Sequence, residues 1–188
     1  MTALALVAQP AAAWNGKFYD SATYEFPEGA THVMEYADGD FTPAKTGHPP
    51  MRTLYPYVHD ITVTGQSWHA QFADYELYNP VFDVPGRCRA WVEQRITRGL
   101  RSVPYCDRYD LHRLHQELGP VLWTHSLVRF WIPTLDGRQW TPDELSANIA
   151  QFWGVYISPA RLLANQYAGE GSGSGGPWDI SNLFGMWY

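Results

Sequence analysis

Four arginines carry the clearest chemical signal in the chain. Arg87, Arg95, Arg98 and Arg101 fall on one side of a helix expected over residues 87–100, opposite Cys88, Val92, Ile96 and Leu100. Guanidinium forks grouped on one face suit phosphate, so this is a candidate anion- or nucleic-acid-binding surface. The competing expectation is a solvated face paired with carboxylates of the same chain, because charge is segregated. Residues 1–86 hold 3 basic and 10 acidic side chains, residues 87–113 hold 7 arginines against Glu93, Asp107 and Asp110, and residues 114–188 hold 3 basic against 6 acidic.

Other residues of catalytic or ligating type are scattered. Cys106, His112 and His115 with Cys88 would complete a zinc set of four, but there is no CxxC and His115 falls among leucines, so no metal and no cofactor is expected. His125 and Ser126 are neighbours on an expected strand, where adjacent side chains face opposite ways, so they cannot act as base and nucleophile. The chain has no Walker A loop, GxGxxG, HExxH or GxSxG. Paired carboxylates, for example Glu35 with Glu76, would require folding to join distant segments.

The C-terminus is the strongest hint of contact with a partner. After a Gly/Ser linker over 170–177, residues 178–188 carry Trp178, Ile180, Leu183, Phe184, Met186, Trp187 and Tyr188. So much apolar surface must dock, on the same domain or on another subunit.

The elements that would position these groups are expected as follows. Val121–Ile132 is apolar on both alternating faces and predicts a central strand. Asp136-Gly137 predicts a turn. Thr141, Pro142 and Glu144 predict a capped helix start, continued by Leu145, Ile149, Phe152 and Trp153 and ended by Gly154. Ser158-Pro159 predicts a second helix through Ala168. The segment AQFWGVYISPARLL resembles the helix-turn-helix of bacterial repressors, which would imply DNA reading. It departs from that pattern in the aromatic pair before its glycine and in offering only Arg161 as a cation, which favours two packed core helices. Residues 15–80 show short alternating pieces, with a proline-rich loop over 42–56, and predict hairpins.

Fold and function expectations follow. The chain should be α+β: one domain over 1–169 with an antiparallel sheet and four short helices near 87–100, 110–118, 141–153 and 158–168, then the flexible aromatic tail. No stretch approaches the roughly 18 apolar residues of a membrane span. The start, MTALALVAQPAAA, lacks the basic segment of a secretory signal, which suggests a cytoplasmic or particle-associated protein. Aromatic content of 15%, with 9 Trp and 12 Tyr, suits a protein that makes contacts. The leading expectation is a non-enzymatic interaction or assembly protein, such as a structural or accessory subunit of a phage virion, whose tail engages a protein subunit, self or other. A nucleic-acid binder using the arginine face comes second, and an enzyme with an unrecognised site third.

Overall fold

The computed structural model describes residues 16–77, 79–169 and 176–184. Its organising element is a closed barrel of eight strands in sequence order: β1 (Lys17–Asp20), β2 (His32–Tyr36), β3 (Tyr57–Thr62), β4 (Phe72–Tyr75), β5 (Val103–Cys106), β6 (Phe130–Pro133), β7 (Leu162–Ala168) and β8 (Asp179–Leu183). Every neighbouring pair from β1–β2 to β6–β7 is parallel. The last strand runs the other way, antiparallel to both β7 and β1. Helices α1 (Pro43–Thr46), α2 (Pro80–Asp83), α3 (Arg87–Ile96), α4 (Leu111–Trp123) and α5 (Pro142–Trp153) lie in the connections. Among the described residues no helix is long and apolar enough to cross a membrane.

The antiparallel α+β sheet expected from the sequence is thus replaced by a mostly parallel barrel. The reason lies in the connections. Parallel neighbours usually need a helical crossover, but here residues 21–31 and 63–71 cross over as loops, and such short pieces between turns look like hairpins. Asp38, just past β2, holds one of these loops in place: its carboxylate accepts from the backbone N–H groups of Val63, Thr64 and Ser67.

Two further expectations fail for identifiable reasons. The strand predicted over 121–132 begins as helix, because Leu111, Leu114, Leu118 and Leu122 keep helical spacing across a kink at Gly119 (φ 68°, ψ 170°), and only Phe130–Pro133 is strand. The helix predicted from Ser158 to Ala168 stops after one 3-10 turn (Pro159–Arg161) and becomes β7, whose residues are all buried. A strand covered on both faces has no alternation to reveal it, and tertiary burial here overrides local propensity. The helix-turn-helix likeness ends with it. Arg161 instead donates to the carbonyls of His125 and Val128.

The capped helix does form as expected. Thr141 accepts from the Glu144 N–H while the Glu144 carboxylate accepts from the Thr141 N–H, and Gly154 closes α5 in the left-handed region. Leu145 and Ile149 of this helix pack with Trp91, Val92 and Leu114 against the outer barrel residues Tyr75, Cys106, Phe130 and Ile132. Each such side chain contributes roughly 1.5–3 kcal/mol on burial.

Candidate active site

Side chains alternate along each strand, so one set points into the barrel. Rings from four strands meet there: Trp131 of β6 has Phe18 of β1 at 4.7 Å, Phe72 of β4 at 5.6 Å and Tyr105 of β5 at 4.4 Å between centroids. The Trp131 indole N–H donates to Ser181 Oγ of β8 at 2.9 Å. This aromatic plug fixes which residues come next. Two positions beyond Phe18 is Asp20, two beyond Phe72 is Asp74, and two beyond Asp74 is Glu76. Asp179, two before Ser181 on the reversed strand, arrives at the same end and pairs in register with Asp20.

The carboxyl end of the parallel strands therefore carries Asp20, Asp74, Glu76 and Asp179 above a sealed apolar floor. Tyr36 of β2 and Tyr105 stand among them. The Tyr36 hydroxyl donates to Asp20 Oδ2 at 3.3 Å, and the Tyr36 N–H is in turn held by the hydroxyl of Tyr24, a residue in the left-handed region (φ 55°). The Tyr105 hydroxyl donates to Glu76.

Proton affinity is displaced upward at three of the four carboxylates, Asp20, Asp74 and Glu76. Burial, then the charge of Asp179, pushes the Asp20 carboxyl up to about 7, although the Tyr36 hydrogen bond opposes the shift. Burial, then the charges of Glu76 and Asp20, raises Asp74 well above the ordinary carboxylate range. Glu76 is raised by burial, opposed by the Tyr105 hydrogen bond and reinforced by Asp107, Asp179 and Asp110. One oxygen each of Asp20 and Asp74 is buried without a hydrogen-bond partner among the described residues. Ion pairs such as Arg52–Asp60 and Arg138–Glu144 lie elsewhere. Among the described residues, no group of three or more His, Cys, Asp or Glu side chains is arranged to hold a metal ion.

Apart from Glu76, the candidates drawn from the sequence fall outside this mouth. Arg95 is buried (3% exposed) and donates to the carbonyls of Arg101 and Trp68, so it is not part of a solvated face. Arg98 lies over the Trp68 ring at 4.6 Å, and Arg87 packs beside Gly65. Ile180 and Leu183 belong to β8, hydrogen-bonded on both edges, and Phe184 packs against the outer core. Trp178 packs on Gly176. Met186, Trp187 and Tyr188 lie outside the described residues, as does most of the 170–177 linker. Cys88 and Cys106 are buried free thiols outside the barrel, while His115 packs edge-on to Trp123. Glu35 faces away from Glu76 and accepts from the Met51 N–H.

Of the four carboxylates the sequence pointed only to Glu76, and with the wrong partner, because no spacing joins positions 20, 74, 76 and 179. The available signal was an acidic residue at the end of a short strand, in KFYD and in FADYE.

No family model matches the chain, and no curated protein matches it in sequence. Among solved structures it is similar to the crystal structure of an uncharacterized B. stearothermophilus protein, with a TM-score of 0.52 and 15% identity over 89% of this chain and 95% of that one. At that identity the likeness concerns the fold alone.

Proposed function

We propose that the barrel mouth is the active site of a hydrolase that cleaves glycosidic bonds by carboxylate acid and base catalysis. The observation that carries this reading is the convergence of Asp20, Asp74, Glu76 and Asp179, all on one end of the barrel, with raised proton affinity at the first three. In mostly parallel barrels the carboxyl end of the strands is where catalytic groups gather. Like charges this close do not all ionise, so the cluster offers both a carboxylic acid and a carboxylate near neutral pH. Acetal hydrolysis needs that combination. An anionic mouth disfavours phosphate esters and nucleic acid.

Roles follow from accessibility. Asp74 is buried whereas Asp20, Glu76 and Asp179 are half-buried, and of these three Glu76 alone lies past the end of its strand, so the substrate oxygen is assigned to Glu76. Its proton passes to the glycosidic oxygen, and the C–O bond breaks with its electron pair going to that oxygen. The charge shared by Asp20, Asp74 and Asp179 meets the cationic carbon, water adds there, and the released proton returns to the cluster. Tyr36 and Tyr105 orient Asp20 and Glu76.

The test is reducing-end release from soluble oligosaccharides, cellulose, chitin and peptidoglycan by the purified chain, alongside Glu76→Gln and Asp74→Asn. Release that drops at least about 100-fold in Glu76→Gln supports the reading, on the scale expected for loss of a general acid. Absence of release from the whole panel, or an unaffected Glu76→Gln variant, defeats it.

A further inference from the structure

We infer that an aromatic cluster beside the mouth, formed by Tyr109, Trp153 and Phe152, is a subsite for a further sugar unit, so that the substrate is a long polysaccharide and not a small glycoside. This inference rests on the glycosidase reading.

The cluster lies on the same rim as the acidic site, because Tyr75 of β4 pairs with Cys106 of β5 and the next residues along the two strands are Glu76 and Asp107. Tyr109 lies in the 3-10 turn (Arg108–Asp110) that follows β5 at the carboxyl end of the barrel, flanked by Asp107 and Asp110. Both of those carboxylates raise the proton affinity of Glu76, which places the turn within electrostatic reach of the proposed acid. Tyr109 is 71% exposed and Phe152 is 64% exposed, whereas Trp153 is half-buried against the outer core. The three rings adjoin at steep angles: Trp153 has Tyr109 at 6.4 Å between centroids and 85° between ring planes, and Phe152 at 5.9 Å and 59°, so they form a cluster with separate faces.

The group is also braced. The Arg108 guanidinium sits over both the Tyr109 ring (5.3 Å) and the Trp153 ring (5.2 Å), and the Tyr109 N–H donates to Asp107 Oδ1 at 2.7 Å. Single exposed aromatic side chains are ordinary, but adjoining exposed rings on a pinned turn form an apolar patch that calls for an occupant. A pyranose ring meets the need from both sides. Its C–H face packs on the exposed ring of Tyr109 or Phe152, on the side away from Arg108, and its equatorial hydroxyls can bond to the Asp107 and Asp110 carboxylates at the rim. A sugar bound here and another cleaved at Glu76 belong to one chain.

The experiment compares wild type with Tyr109→Ala and Phe152→Ala, both at exposed positions, on whichever polymer of the screen is cleaved and on its disaccharide. KM for the polymer should rise about tenfold, the scale of one lost aromatic contact, with cleavage of the disaccharide unchanged. Equal effects on both substrates, or none on either, overturn the subsite while leaving the hydrolase reading intact. If nothing is cleaved, depletion of the wild-type chain by insoluble chitin or cellulose, lost in Tyr109→Ala, supports the subsite by itself. No depletion by either polymer overturns it.

Discussion

Asp20 and Asp179 stand directly opposite each other across the β1–β8 pair, on the face that looks into the barrel. Like charges in that position are destabilising. With a folded-state value of about 7 against 3.8, Asp20 holds its proton in the folded chain where the unfolded chain has lost it. Its contribution to stability is complete below 3.8 and is lost as pH rises through about 7. Asp20→Asn should therefore raise Tm by about 3 °C or more at pH 8, less at pH 5, and abolish hydrolysis. A variant less stable than wild type at pH 8 contradicts this account of the mouth.

The pH profile of kcat/KM reports the same cluster. The alkaline limb, set by loss of the Glu76 proton, should lie above the ordinary carboxylate range because Glu76 is raised. Tyr105→Phe removes the hydrogen bond that opposes the shift, so it should move the limb further up in pH. A limb that stays put, or moves down, separates Glu76 from the rate.

At the other end of the barrel the sign is reversed. His59 is buried between His32 (3.2 Å) and Gln71 (3.0 Å), and burial pulls its imidazole down to about 4. The unfolded chain takes up this proton near 6.5, so the stabilisation is complete above about 6.5 and is lost as pH falls through 4. Taken as the difference from His59→Gln, which leaves the Asp20 contribution in both chains, the unfolding free energy from urea titrations should decline between pH 7 and pH 4 by on the order of 3 kcal/mol at most; a difference that does not change with pH contradicts this account.

Removing residues 176–188 tests the place of the last strand. Because β8 bonds to both β1 and β7, its loss opens the barrel and bares two inner edges. Circular dichroism melting should lose its cooperative transition. A truncated chain that melts as sharply as the whole would return residues 178–188 to the status of an accessory tail.

Arg95 separates a structural arginine from a ligand-binding one. Arg95→Ala strands the carbonyls of Arg101 and Trp68, at about 1–3 kcal/mol for each buried acceptor left unsatisfied. The variant should be clearly destabilised in urea, while exposed Arg98→Ala should change stability by less than about 1 kcal/mol. Equal small effects would put Arg95 back on a solvent-facing surface.

What the sequence determined by itself is local. The α5 cap, its apolar stripe and its glycine stop are written in neighbouring residues, as are the start of α3 at Arg87 and the turn at Gly137 (φ 75°), because helix and turn preferences act within a few positions. The need for the C-terminal apolar residues to dock was also legible, though not that Asp179–Leu183 would dock as a strand. Strand direction, the conversion of residues 162–168 from expected helix to β7, and the meeting of Asp20, Asp74, Glu76 and Asp179 were decided by barrel closure. Closure fixes register, register fixes which alternate side chains point inward, and only then do carboxylates as far apart in sequence as Asp20 and Asp179 share one charged mouth.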